Sequence, residues 1–299
     1  AIYNEDPRQM EITLPFKTNG ETITLELYQK DIFSPDFKAM TSDGQDITDS
    51  MDRGKHYRGM VNGKSQSLVS ISIFRNEIIG FISYGEGNYS IGRLKDSNSK
   101  HIIYKDNDLR QSQDINCSME DDGIGYTTEE ITYSGTRDPS DCVNVYIEAG
   151  QSVFNSFGGN LTNTTNFLNG VFGQSFVLYA NEGITMQTSS MLIWTTPDPY
   201  IGGDTGTQLS LFQANTGAFT GDIGHLVEVQ NIGGLAAGFS GICNPVTDNS
   251  LCFSGFSGNS YNDVPTVSFN AYIITHEMGH LLGSRHTHAC VWNGNNTAI

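Results

Sequence analysis

The chain reads as an α+β protein in two parts, on three observations. Alternating apolar and polar residues, the period of strands, fill the first hundred or so positions. From Cys142 onward, strand-like runs are separated by helical ones, which implies a mixed sheet with helices packed on it. Near the end, an eleven-residue pattern of three histidines and one carboxylate sits on an apolar helical stretch, residues 276–286.

In the first part, residues 22–28 alternate and residues 67–74 alternate more clearly, as strands with one buried face do. After the turn-like Arg75-Asn76-Glu77 come further strands at 78–84 and 88–91, completing a small antiparallel β domain. From about Tyr104 to Asp141 the composition turns polar and acidic, through Lys105-Asp106-Asn107-Asp108 and Glu120-Asp121-Asp122-Gly123 to Arg137-Asp138-Pro139. Little there fills a core, so the tract reads as a linker. The boundaries that follow are 1–137 for the β-rich part with its linker and 138–299 for the second domain.

In the second part, residues 143–147 form a buried-type strand. Residues 153–179 then place Phe154, Phe157, Leu161, Phe167, Leu168, Val171 and Phe172 at helical spacing, with Gly158-Gly159 as an interruption. A strand at 184–195, a short helix at 207–214 and a strand at 225–229 follow, then the small-residue run 233–238.

Sixteen basic against 33 acidic side chains give a net charge of -17. Such a surface repels phosphate backbones and anionic lipid, which excludes nucleic acid and membrane surfaces as expected partners. No run of 18 apolar residues exists, so no membrane span is expected. The first residues, 1–6, lack the basic and apolar regions of a signal peptide, which leaves its removal open. Five cysteines (117, 142, 243, 252 and 290) leave an odd one. Cys243 and Cys252 flank a turn-rich segment and form a natural local disulfide, stabilising by ~2–3 kcal/mol and pointing to an oxidising compartment. Asn-x-Ser/Thr triplets at Asn88, Asn160, Asn163 and Asn295 carry little weight in so Asn-, Ser- and Thr-rich a chain.

The motif itself is His276-Glu277-Met278-Gly279-His280-Leu281-Leu282-Gly283-Ser284-Arg285-His286. Residues four apart share a helix face, so His276 and His280 aim ring nitrogens at one point. Glu277 reaches a water beside a metal rather than the metal itself. Gly283 takes the left-handed conformation that ends a helix, and the chain turns back to deliver His286 as third ligand. Three protein ligands with an open fourth position mark a catalytic Zn²⁺ site, with Glu277 as general base. The apolar residues around the motif are those of a buried active-site helix. His288 reads as a surface histidine, and His56, His101 and His225 as structural.

With these residues in place, the second part, about Cys142 to Trp292, resembles the catalytic domain of the metzincin metallopeptidases, in the adamalysin or reprolysin branch of its bacterial secreted form. The run into Trp194-Thr195-Thr196-Pro197-Asp198 supports this. The first part looks similar to that branch's propeptide, notably at His56-Tyr57-Arg58-Gly59-Met60-Val61. The resemblance implies a secreted zymogen acting on proteins or peptides: a β-rich prodomain, a linker and a zincin-like catalytic domain, the propeptide being an intramolecular inhibitor. Family propeptides carry a lone cysteine that binds the fourth zinc position as thiolate, and Cys117 stands in the right region; the rival reading is a Cys117–Cys142 disulfide. Gly234, Leu235, Ala236 and Ala237 resemble the edge strand that pairs with substrate, the plain alternative being a flexible loop.

Three departures stand out. Thr287 replaces the usual aspartate after the third histidine, and Gly150 replaces an acidic strand-end residue, so the family's calcium site is not carried over. No methionine follows Met278, whereas metzincins place one in a turn beneath the zinc. The expectation is a C-terminally incomplete domain, its remainder lost or present as a second polypeptide that pairs with Cys290. The alternative function is a non-catalytic zinc-binding fragment or binding module; an intact Glu277 favours the enzyme, because a structural site has no use for that carboxylate.

Overall fold

The computed structural model describes residues 8–14, 21–85, 87–95, 97, 99–109, 117–127, 142–242, 244–256, 258, 260–261 and 264–287. Its α+β architecture has two sheets with helices between and beside them. Strands β1 (Arg8–Leu14) and β2 (Glu21–Lys30) start the first sheet, and β3 (Phe33–Thr41) leaves for the second. The first sheet continues with β4 (Lys55–Val61), β5 (Lys64–Ile73), β6 (Ile78–Tyr84), β7 (Gly87–Arg93) and β8 (His101–Lys105). It is wholly antiparallel in the order β1-β2-β4-β5-β6-β7-β8. Alternation in β2 puts Ile23, Leu25 and Leu27 on the buried face, together with Tyr57, Val69, Ile71 and Ile82.

The second part begins with β9 (Val143–Ala149) and two helices, α1 (Gln151–Ser156) and α2 (Leu161–Asn181). Gly158 and Gly159, both left-handed, make the break between them that the sequence suggests, and the Asn160 side chain caps α2 by accepting from Asn163 N–H. Next come β10 (Met186–Ile193), α3 (Thr205–Asn215), β11 (Ile223–Glu228), β12 (Gly233–Ala236), β13 (Leu251–Gly255), a short β14–β15 hairpin (Ser260–Tyr261, Val264–Pro265) and α4 (Val267–Leu281). The second sheet runs β12-β13-β11-β9-β10-β3, parallel except for the edge strand β12.

Two features differ from the sequence expectation. Strand β3, from the first part, completes the sheet of the second by pairing with β10, so the boundary near residue 137 is crossed by a strand. Cys252 carries a free thiol, and so do Cys117 and Cys142; the expected Cys243–Cys252 disulfide is not made, and neither is a Cys117–Cys142 one. The physical reason lies in β13: Cys252 is fully buried in the core cluster, with its sulfur 3.2 Å from His225 Nδ1. Cys243, Cys290, His288 and Trp292 lie outside the described residues. His56, His101 and His225 are structural as expected: His56 bonds Ser72 and the Arg53 carbonyl, His101 accepts from Ile78 N–H, and His225 bonds Ser254. No helix among the described residues is long and apolar enough to cross a membrane.

Candidate metal centre

Helix α4 is held under the second sheet by Ile273, Ile274, Met278 and Leu281, all fully buried. That burial fixes the opposite face, where His276 and His280 sit one turn apart with Nε2 atoms 3.1 Å apart. The helix ends in a Schellman motif: Ser284 N–H reaches Gly279 O, Gly283 N–H reaches His280 O, and Gly283 takes φ +99°. This turn brings His286 back beside the other two rings. Only a glycine takes that conformation without strain, which is why the spacing works.

Cys117 completes the cluster. Its sulfur lies 3.4 Å from His280 Nε2 and 3.2 Å from His286 Nε2, and all four donor atoms fall within 4.8 Å of one another. A tetrahedral zinc with bonds of about 2.0–2.3 Å has donor–donor edges of about 3.3–3.6 Å, so the set fits that ion. It is the one such cluster among the described residues. The outer nitrogens are oriented to match. His280 Nδ1 donates to Ser284 O at 2.7 Å, and His286 Nδ1 donates to Asp121 Oδ1 at 3.1 Å, turning both Nε2 lone pairs inward. Burial, then the Glu277 carboxylate, push the Cys117 thiol up to about 12. A cation is what converts such a thiol to a ligand thiolate.

Glu277 is fully buried next to this cluster, and among the described residues its carboxylate has no N–H or O–H partner, only the neighbouring Cys117 thiol. Burial raises its carboxyl to about 8, with the nearby Cys117 thiol pulling the other way. It fits only because Gly234 faces it: a Cβ at Gly234 would lie 2.6 Å from Glu277 Cδ and Cγ. Thus β12, carrying Gly234, Leu235 and Ala236 with Ala237 just beyond, runs along the site as an edge strand. Cys117 forms a parallel bridge to Gly234, and Ser118 N–H donates to Gly234 O at 3.1 Å. A cleft of about 970 Å³ beside the cluster is lined by Tyr272, His276, Gly279, His280 and His286, with Met119 and Asp121 on its other wall.

The sequence reading missed how residues 117–127 are held. Asp122 accepts two hydrogen bonds from Arg285, at 3.0 and 2.8 Å. Tyr126 O–H donates to Gly283 O at 2.6 Å and accepts from Arg285 N–H at 2.7 Å. The Arg285 guanidinium stacks between Tyr126 and Phe239 at 4.9 and 5.0 Å. The acidic tract, read as a linker, grips the loop that carries the third histidine.

Comparison with known proteins places the chain in a family. A reprolysin model described as metallo-peptidase family M12 matches residues 140–297, more than half of the chain. The chain belongs to that family. It is a reprolysin-like metzincin, a group of metal-dependent peptidases, and the His/Cys cluster is compatible with their metal. Disintegrin and metalloproteinase domain-containing protein 2 of Mus musculus is 24% identical over 205 residues, 62% of this chain and 26% of that protein. The same protein of Rattus norvegicus is 22% identical over equal shares. The chain thus spans about a quarter of the length of these curated relatives. Among solved structures, metalloproteinase-II from Bacteroides fragilis is similar at TM-score 0.49 and 10% identity, over 98% of this chain and 87% of that one.

Proposed function

We propose that the chain is a latent zinc-dependent metalloendopeptidase. His276, His280 and His286 hold Zn²⁺, Glu277 is the general base, and Cys117 occupies the fourth position until its segment is displaced. The observation that carries this is the convergence of three imidazoles and one thiol within 4.8 Å, beside a fully buried carboxylate. Zinc bound there supplies Lewis acidity, acidifying a water and polarising the scissile carbonyl.

The remaining work falls to the chain. Glu277 takes a proton from the attacking water through one carboxylate oxygen and passes it to the departing amine nitrogen. The buried setting keeps bulk water from solvating that carboxylate and strengthens its interactions. Edge strand β12 offers backbone groups to an extended peptide along Gly234, Leu235, Ala236 and Ala237, as the Ser118 contact to Gly234 O suggests. Backbone pairing is tolerant of sequence, so the substrates are proteins or peptides as a class. Residues 117–127 are the inhibitory part of a propeptide. Secretion belongs to this proposal and rests on the family resemblance, since the free thiols of Cys117, Cys142 and Cys252 supply no oxidised pair.

The test is Glu277→Gln in a Cys117→Ala background. Zinc content stays at one per chain, and turnover falls by ~10²–10⁴-fold. Peptidase activity retained at the parent level refutes the general-base role.

A further inference from the structure

The first part of the chain is built into the core of the second. Strand β3 pairs with β10 from Thr188↔Phe33 to Ile193↔Thr41, and the ladder is extended at both ends: Thr188 N–H donates to Ile32 O at 2.7 Å and Ser42 N–H to Ile193 O at 2.9 Å. Phe33, Phe37 and Ala39 of this part share one buried cluster with Ile147, Met191 and Phe172 of the other. On the far flank of α2, a Cβ at Gly170 would lie 2.8 Å from the Ile79 side chain of β6, so helix and first sheet touch at backbone distance. Tyr104 O–H, in β8, donates to Pro265 O, just before α4.

These contacts explain why α2 is buried all round: every residue from Thr164 to Tyr179 except Leu178 is buried. A helix covered by one sheet keeps a polar outer face, whereas this one lies between two. Taking residues 21–109 away would bare that flank of α2, the β10 backbone edge and the seats of Phe33 and Phe37 together.

We propose that residues 21–109 are a permanent layer of the folded enzyme, and that the removable inhibitor is the latch, residues 117–127. Its inhibitory role rests on the proposed function, but the permanence of the layer does not. One consequence is specific. A cut after Thr127 leaves the latch tethered to β8, and a cut before Cys117 leaves it tethered to β9. Either tether keeps the latch at high effective concentration over the cluster, so its release requires both cuts.

The experiment uses the full zinc-loaded chain with two different site-specific protease sequences inserted, one between Leu109 and Cys117 and one between Thr127 and Cys142. After each single cut and after both, the fragment carrying residues 21–109 and the fragment carrying residues 142–287 stay together on gel filtration at nanomolar concentration and part only in denaturant. The Cys117 thiol reacts with a soluble thiol reagent at least tenfold faster only after both cuts. Pieces that separate or precipitate after cutting overturn the permanent layer. A latch freed by one cut overturns the tether argument. If the pieces stay together after both cuts but no peptidase activity appears, the layer stands and the peptidase reading fails.

Discussion

Replacing Gly234 by alanine probes the relation between edge strand and general base. The new Cβ would sit 2.6 Å from Glu277 Cδ and Cγ, and nearer still to Oε1, where ordinary contact starts at 3.4 Å. Either the carboxylate retreats by about 1 Å or β12 moves outward by as much. Glu277 has no exposed surface to yield into, and α4 is anchored by fully buried Ile273, Ile274, Met278 and Leu281. A misplacement of that size costs on the order of 10²-fold in rate, about 2.7 kcal/mol of barrier. The overpacking itself destabilises by about 1–3 kcal/mol. In the Cys117→Ala background, kcat and KM on a fluorogenic peptide are measured beside zinc stoichiometry and melting temperature. The expected outcome is a loss carried by kcat with zinc retained, since the atoms the Cβ meets belong to Glu277 and not to the histidines. Activity within threefold of the parent, or a loss carried by KM alone, would refute the placement of Glu277 as the base.

The latch and a second buried carboxyl give the remaining predictions. Cys117→Ala, or treatment of the intact chain with a thiol modifier, raises peptidase activity without any cut; unchanged latency in both would remove Cys117 from the inhibitory role. Asp122→Asn breaks the paired hydrogen bonds to a partly exposed Arg285, weakening the latch by about 1 kcal/mol, or ~5-fold in the rate at which Cys117 is modified. Glu228, in β11, is buried, with one oxygen accepting from Ser152 O–H. Burial pushes it up to about 8, so the folded state holds this proton more tightly than the unfolded chain does. Its contribution to stability is full below pH 4.5, falls as pH rises and is gone by about pH 8. Glu228→Gln removes that dependence, gaining on the order of 3 kcal/mol over the parent at pH 8 and little at pH 5 by thermal melts; an equal effect at both pH values counts against it.

What the sequence made legible is local. The histidine spacing, the glycine turn and the carboxylate beside the first ligand lie within eleven residues, so helix geometry alone brings them together. The alternating strand β2 was readable for the same reason, since Ile23, Leu25 and Leu27 line one dry face. Strand β3 was not: it lacks clean alternation, carries Pro35 as an edge strand tolerates, and pairs with residues about 150 positions later. Strand β13 is buried on both faces and so shows no period, which let it pass for one limb of a disulfide loop. The grip of Asp121, Asp122 and Tyr126 on residues 283–286 joins groups about 160 residues apart, and no spacing rule reports it. The acidic tract looked unable to fill a core, and it does not; its charges meet Arg285 and His286 instead.

The most direct test of the central claim is zinc K-edge X-ray absorption on the purified, uncut chain. The expected result is one sulfur at about 2.3 Å and three nitrogens at about 2.0 Å around a single zinc, from Cys117, His276, His280 and His286. A shell of nitrogen and oxygen without sulfur would contradict the latch, and a chain that takes up no zinc would contradict the centre itself.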